Sequence, residues 1–167
     1  MSKNLEESGL KSIFDRYDLF FIDIWGVIHN GINLHLNSIE VLENLSKTKK
    51  KFVLLTNAPR PNKTVVNYLK KMGLKNFFDS VFTSGEASLK YLINDLNNEK
   101  FFHIGPPRDF DLFKSFQTNK VSNIKDSDYL LCTGLFEKHS HDLSYYKNLF
   151  TEHISKKMIC TNPDLIV

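Results

Sequence analysis

Short apolar runs alternate with longer amphipathic stretches along the chain, and this alternation most constrains the fold. Apolar runs with the length of buried strands cover residues 19–23, 51–57, 80–84, 101–105, 129–134 and 158–162. Helical spacing of apolar residues predicts longer helices between several of these runs, as over 37–47 and 86–96. Because strands that alternate with helices pair in parallel through right-handed crossovers, the sequence predicts an α/β fold with parallel sheets.

Finer details of the helices follow from local signals. Residues 1–16 contain Leu5, Leu10, Ile13 and Phe14 at helical spacing, which predicts a short N-terminal amphipathic helix. We expect Asn37 or Ser38 to cap the helix over 37–47, and Ser84 to cap the one that begins near Glu86. A short helix over 110–116 and a longer one over 142–153 complete the prediction.

Composition and charge narrow the class of protein. The hydrophobic content of 41% over 167 residues is enough for a sizeable core. A net charge of +3, from 22 basic and 19 acidic residues spread along the chain, argues against a nucleic-acid partner. No apolar stretch approaches the length of a membrane span or a signal peptide, so we expect a cytoplasmic protein. Cys132 and Cys160 lie in separate apolar runs and predict buried, reduced thiols.

Polar side chains that end the predicted strands are the candidates for chemistry. In an open parallel sheet, ligands bind at the carboxyl ends of the strands. Asp23, Thr56 with Asn57, and Ser84 hold those positions. A lone Asp there is most often a cap or a turn residue, but a glycine-containing loop follows Asp23, and the next strand ends in a hydroxyl and an amide. This combination indicates a functional site.

These segments carry a family resemblance. YDLFFIDIWGVIHNG (17–31) resembles motif I of the haloacid dehalogenase superfamily, and LLTNAPR (54–60) resembles its motif II. The segments at 81–92, 101–107, 128–135 and 158–164 are similar to subclass IIA, which contains nucleotide and p-nitrophenyl phosphate phosphatases. The resemblance implies a Rossmann-like, three-layer parallel-sheet core, present in part, with an inserted α/β cap domain.

The resemblance also implies a division into domains. After an N-terminal segment, 1–16, residues 17–83 would form the first part of the catalytic core. Residues 84–161 would form a type C2 α/β cap, and 162–167 would begin the return to the core. Within the cap, we expect residues that read the substrate in 105–108 or 136–141.

Roles for individual residues follow from the same resemblance. Asp23 would be the nucleophile that forms an aspartyl phosphate, and would bind Mg²⁺ together with the backbone carbonyl of Trp25. Thr56 and Asn57 would hold the transferring phosphoryl group. The implied function is a Mg²⁺-dependent phosphatase for a small phosphorylated metabolite, such as a sugar phosphate or a nucleotide. For Arg60, substrate contact and solvent exposure are both open.

Trp25 is a departure from the family pattern. Family phosphatases carry an Asp at this position, two residues after the nucleophile, as general acid and base. An indole cannot transfer a proton at neutral pH, so His29 in the same loop is the candidate substitute. Two other functions therefore stay open: a non-catalytic phospho-ligand binder or fragment, and a hydrolase for carbon–halogen or carbon–phosphorus bonds, whose members also lack the second acid.

The chain also lacks motifs that the family places after the cap. Neither the phosphate-neutralising Lys nor a GDxxxTD-type acidic motif occurs in the expected place. We therefore expect weak or no activity from this sequence alone, and either a homodimer or a partner that supplies the rest of the core. His139 and His141 could suggest a metal pair, but loop histidines without a nearby Cys or a placed acid usually bind no metal.

Overall fold

The computed structural model describes residues 9–140 and 142–162. Its β-strands are β1 (Leu19–Asp23), β2 (Lys51–Thr56), β3 (Val81–Thr83), β4 (Phe101–Ile104), β5 (Tyr129–Cys132) and β6 (Lys157–Cys160). Its α-helices are α1 (Leu36–Lys47), α2 (Asn62–Lys71), α3 (Ser84–Asp95) and α4 (Leu143–Glu152). Short 3₁₀ turns join several of these elements.

The strands form two sheets of three, in the orders β1-β2-β3 and β4-β5-β6. β1 runs parallel to β2, and their register pairs Asp23 with Leu55, so both strands end at the same edge of the sheet. In the second sheet, β4 pairs with β5 and β5 with β6, again in parallel. The predicted α/β class with parallel sheets is confirmed.

The described chain divides into two compact units. The first unit contains residues 9–55 and 72–81, and the second contains 56–71, 82–140 and 142–162. The helix α2 and the loop before it therefore belong to the second unit. The predicted domain limits at 83 and 161 stay a prediction.

Each unit has its own buried apolar residues. In the first unit these include Phe20, Ile24 and Ile28 of β1 and its loop, Leu42 and Leu45 of α1, and Leu54 of β2. In the second unit, one cluster packs α3 against β4, β5 and the 3₁₀ turns at 107–119, and a second contains Ile104, Leu130 and Tyr146. The helices α3 and α4 thus each bury an apolar face against the second sheet.

The first strand differs from its prediction as a strand buried on both faces. Its burial alternates, and Phe21 is 67% exposed in the structure while Phe20 is buried. The reason is that, among the described residues, only one face of β1 is covered, and successive side chains point to opposite faces.

Two predictions of helix caps were wrong. His35, not Asn37 or Ser38, precedes α1, and the Ser38 hydroxyl donates instead to the Val27 carbonyl at 2.6 Å. Thr83, not Ser84, caps α3, because its hydroxyl oxygen accepts from the backbone N–H of Glu86 at 2.8 Å. In both cases a nearby backbone group competes for the expected capping side chain.

Two 3₁₀ turns replace the short helix predicted over 110–116. They cover Pro107–Leu112 and Lys114–Asn119, with non-helical backbone at Phe113 and Phe116. At the N-terminus, the described part of the predicted amphipathic helix also forms 3₁₀ turns, Leu10–Ser12 and Phe14–Arg16. Residues 1–8 of that prediction lie outside the described residues.

The two cysteines are free thiols, as predicted. Only Cys132 is partly buried, whereas Cys160 is exposed. Burial and the neighbouring Cys160 raise the pKa of the Cys132 thiol to about 11, so this thiol is protonated and unreactive at neutral pH. The prediction that both thiols are buried was therefore wrong for Cys160.

Candidate functional site

Asp23 is the last residue of β1 and is exposed. The strand pairing continues one residue beyond it, since the backbone N–H of Ile24 donates to the Leu55 carbonyl at 2.9 Å. The chain then turns back, and the N–H groups of Ile28 and His29 both donate to the carbonyl of Ile24. The carboxylate therefore stands on an anchored stretch of backbone at the edge where the strands end.

Trp25 and His29 pack together in the loop that follows. The Trp25 side chain is 63% exposed, and its ring meets the His29 ring edge to face with 5.3 Å between centroids. Gly31 lies against the indole, and a Cβ atom at residue 31 would overlap the ring. The left-handed backbone of Gly31, with φ of 91°, also favours glycine. The loop thus holds the indole in one place.

His29 is the most buried polar residue of this loop, with 4% exposure. Its Nδ1 accepts a hydrogen bond from the backbone N–H of Gly31 at 2.9 Å, so the neutral ring carries its proton on Nε2. Burial, with a smaller contribution from His35, lowers the pKa of His29, although Asp23 acts in the opposite direction. His29 is therefore neutral at pH 7.

Thr56 and Asn57 belong to the second unit, where the beginning of α3 holds their loop. The Thr56 hydroxyl accepts from the backbone N–H of Ala58 at 3.2 Å. The Ser84 hydroxyl lies 2.8 Å from the Asn57 carbonyl, and the Gly85 N–H donates to the carbonyl of Ala58. The prediction that Asp23, Thr56 and Asn57 together form one phosphoryl site stays a prediction.

Gly85 allows the close approach between α3 and this loop. A Cβ atom at Gly85 would overlap the backbone of Arg60, which also accepts a hydrogen bond from the Thr83 hydroxyl at 2.5 Å. The backbone of α3 at Gly85 has ordinary helical geometry, so no strain of its own excludes other residues. Glycine is therefore required at residue 85 because there is no room for a Cβ atom.

We predict that Gly85→Ala destabilises the protein by about 1–3 kcal/mol, the usual range for overpacking. The sign is informative, because Gly to Ala inside a helix normally stabilises. Chemical denaturation monitored by circular dichroism gives the free energy of unfolding. Gly134→Ala is the matched control, since a Cβ there would make only an ordinary contact with Pro106 at 3.4 Å. Equal stability of the two variants would contradict the prediction.

Arg60 is partly exposed and forms an ion pair inside the second unit, and its contact with a substrate stays a prediction. Its guanidinium lies 3.4 Å from the Asp109 carboxylate and donates to the Arg108 carbonyl at 3.1 Å. The Asp109 residue is only 4% exposed, and burial raises the pKa of its carboxyl, against the opposing effects of Thr133 and Arg60. Arg60 thus ties the loop after β2 to the turn after β4.

The same buried polar network continues to His103, which sequence reasoning missed. Thr133 lowers the pKa of the Asp109 carboxyl, and Thr133 Oγ1 and His103 Nε2 form a hydrogen bond of 2.8 Å. His103 is the only polar residue of the apolar run FFHIG, and Thr133 is the hydroxyl residue that ends the run YLLCT. A polar residue in an apolar run was therefore the signal that could have indicated these two residues. Their pairing could not be predicted, because residues 103 and 133 lie far apart in sequence.

We predict a pH-dependent loss of stability from His103. Burial lowers its pKa from 6.5 to about 4, with a further contribution from Lys120. Between pH 6.5 and 4 the unfolded chain binds a proton that the folded chain does not, so stability falls as the pH drops through this window. The full loss is about 3 kcal/mol at 1.36 kcal/mol per unit.

Urea unfolding at pH 7 and at pH 4.5 measures this loss, and NMR titration of the His103 ring measures its pKa directly. In His103→Gln the fall in stability between the two pH values should be smaller than in the wild type. A ring that titrates near pH 6.5 would contradict the prediction.

In the part of the chain that the structure describes, no group of three or more His, Cys, Asp or Glu side chains could hold a metal ion. His139 stacks on Tyr145 with 3.8 Å between centroids, and His141 lies outside the described residues. No helix among the described residues is long and apolar enough to cross a membrane. The cytoplasmic location stays a prediction.

Comparison with known proteins supplies the family. Residues 20–119 match the model of the haloacid dehalogenase-like hydrolases. A search of curated proteins finds no match.

Solved structures give the same result. A haloacid dehalogenase-like hydrolase from Brucella suis has 30% identity and a TM-score of 0.81, over 95% of this chain and 60% of that one. A 4-nitrophenylphosphatase from Thermotoga maritima has 27% identity and a TM-score of 0.68, over 92% of this chain and 57% of its own. A putative NagD protein has 26% identity and a TM-score of 0.66, over 90% of this chain and 58% of its own.

The chain thus spans about three fifths of the length of these structures. With the matching model and the similar structures, it belongs to the haloacid dehalogenase-like hydrolase family, in subclass IIA with the NagD and p-nitrophenylphosphatase-like proteins.

Proposed function

We propose that the protein is a phosphomonoester hydrolase for a small phosphorylated metabolite, with Asp23 as nucleophile. The observation that carries the proposal is the position of Asp23, exposed at the carboxyl end of β1 on anchored backbone, in a chain of this family. The name of the similar 4-nitrophenylphosphatase supports the same class of reaction.

In the proposed reaction, a carboxylate oxygen of Asp23 attacks phosphorus, and a new oxygen–phosphorus bond forms. The ester bond to the metabolite breaks, and its oxygen takes up a proton from solvent. Water then attacks the phosphorus of the aspartyl phosphate, which releases inorganic phosphate, returns a proton to solvent and restores the carboxylate. Thr56 and Asn57 are proposed to hold the phosphoryl oxygens during both steps.

Proton transfer is the step for which the loop after β1 is least suited. His29 is the proposed substitute for the acid that the family carries at residue 25. Its lowered pKa makes the neutral ring a base and not an acid at pH 7. With Nδ1 already accepting from Gly31, only Nε2 carries a proton. Slow turnover follows from this arrangement.

Mg²⁺ is the proposed cofactor, and it would offset the charge of the phosphoryl group. The Asp23 carboxylate and the Trp25 carbonyl are the proposed oxygen donors, which are of the type that Mg²⁺ prefers. Mg²⁺ needs nearly octahedral coordination, and the described residues contain no further cluster of acids. Two donors do not complete such a site, so water and further oxygen donors would have to supply the rest.

The test is turnover by the 167-residue chain. The chain is assayed with Mg²⁺ against sugar phosphates, nucleotides and pyridoxal phosphate, and released phosphate is measured. We expect slow phosphate release that requires Asp23, together with covalent phosphorylation of Asp23 in a rapid acid quench. The proposal is wrong if the protein releases no phosphate in an Asp23-dependent manner.

A non-catalytic phospho-ligand binder is the second candidate, and the exposed indole of Trp25 favours it because it replaces the acid. For a binder, phosphorylated ligands would raise the melting temperature without turnover. Equal thermal shifts for wild type and Asp23→Asn, with no turnover in either, would support this second candidate over the first.

A further inference from the structure

A cavity of about 380 Å³ opens at the carboxyl ends of β4 and β5 in the second unit. Its walls come from the two segments that the sequence suggested for reading a substrate. Gly105 and Pro107 follow β4, and Phe136 to Lys138 follow β5. The crevice outside the carboxyl ends of parallel strands is also the usual place for a ligand in an α/β fold.

The back of this cavity is polar. His103 lines it, although the residue is only 6% exposed, and its Nε2 is fixed by Thr133 Oγ1 at 2.8 Å. Behind Thr133 lies the buried Asp109 carboxyl with its partner Arg60. Burying polar groups costs free energy that burying apolar side chains would not cost. Packing alone therefore does not explain why polar side chains occupy these positions.

Gly105 keeps the cavity open at this point. A side chain at residue 105 would overlap both Thr133 Oγ1 and His103 Nε2. The φ angle of Gly105, 152°, also lies in a region that L residues rarely adopt. The loop after β4 can therefore pass close to both polar side chains, of which His103 lines the cavity.

Positive charge dominates at the mouth. Lys120 and Lys138 line the cavity together with a single acid, Glu137. The Lys120 ammonium lies 5.4 Å from the centroid of the Phe113 ring, and its charge acts on the His103 ring. Because His103 is uncharged at neutral pH, the charged side chains of the lining sum to +1, two lysines less one glutamate.

We propose that this cavity binds a small phosphorylated metabolite, whose phosphate is neutralised by Lys120 and Lys138 and whose apolar part contacts Phe136. Phosphate suits two lysines, because an ammonium group interacts with it as a point charge and needs no fixed geometry. The cavity volume is within the range of small-molecule sites. This site requires neither Asp23 nor turnover, and so goes beyond the proposed function.

The test uses NMR of the intact, isotope-labelled chain. Inorganic phosphate and glycerol 3-phosphate are titrated separately at constant ionic strength, and sodium chloride is titrated as the reference. We expect saturable shifts of the His103 ring and of the Gly105 and Phe136 amides with both phosphates. Tighter binding of glycerol 3-phosphate would identify an esterified ligand, whereas shifts with neither phosphate, or equal shifts with sodium chloride, would overturn the proposal.

Variants locate the site. In the double variant Lys120→Gln, Lys138→Gln, binding should weaken by about tenfold or more, as expected for the loss of two charged partners. Lys147→Gln on α4, an exposed lysine outside the cavity, is the matched control and should bind like the wild type. If the double variant does not fold, Lys138→Glu alone reverses one exposed charge and should weaken binding in the same way.

Asp23→Asn separates this proposal from the phosphatase. The His103 shifts should be unchanged in Asp23→Asn, even though that variant cannot turn over. Loss of the shifts in Asp23→Asn would place the phosphate elsewhere and overturn the cavity proposal. Unchanged shifts together with no turnover by the wild type would instead overturn only the phosphatase.

Discussion

Asp23→Asn is expected to reduce phosphate release by about 10⁴-fold or more, the scale seen when a covalent nucleophile is removed. The amide has nearly the same size as the carboxylate but cannot form an acyl phosphate by the same attack. Because Asp23 is exposed and only its backbone pairs with β2, the fold should be preserved within about 0.5 kcal/mol. Steady-state release of phosphate, with circular dichroism for the fold, checks both expectations.

Asp18→Asn is the matched control for this substitution. Asp18 immediately precedes β1, and its fully exposed side chain forms an ion pair with Lys50 at 3.3 Å. Exposed pairs of this kind contribute about 0–1 kcal/mol, so Asp18→Asn should retain wild-type turnover. If Asp23→Asn also retained it, the nucleophile would be another residue and the proposed mechanism would be wrong.

The positions of the strands could be predicted because each is a short apolar run between polar segments. α4 illustrates the same accuracy for helices, since 142–153 was predicted and Leu143–Glu152 is observed with Asp142 as its side-chain cap.

The segment after β4 shows where local reasoning fails. Phe113 and Phe116 both pack on Phe101, with 5.3 and 5.6 Å between ring centroids. These tertiary contacts outweigh the weak local preference for an α-helix.

The candidate site was predictable to the extent that it depends on strand ends. Asp23 could be located because it closes an apolar run and precedes a glycine-containing loop. The ion pair of Arg60 with Asp109 could not, because its partners are 49 residues apart and neither lies in a recognisable local motif. Such pairings depend on how the fold brings distant segments together, which periodicity and spacing do not encode.

Trp25→Asp is expected to raise phosphate release by about 10²- to 10⁴-fold, the usual contribution of general acid–base catalysis. The substitution restores a carboxyl group at the position where the family carries its proton donor. The structural cost should be small, because Trp25 is 63% exposed and its main ring partner is His29. An edge-to-face aromatic pair of this kind contributes about 0.5–1.5 kcal/mol. Initial rates with the best substrate of the panel measure the gain.

Trp25→Asn separates proton transfer from the effect of removing a bulky ring. Asn has the size of Asp but no titratable proton, so its rate should stay close to that of the wild type. An equal gain in both variants would mean that the indole obstructs the substrate, and that proton transfer is supplied elsewhere. In that case His29→Gln becomes the deciding variant, because His29 is the proposed substitute for the missing acid. A further loss of rate in His29→Gln would then assign the role to His29, and an unchanged rate would exclude it.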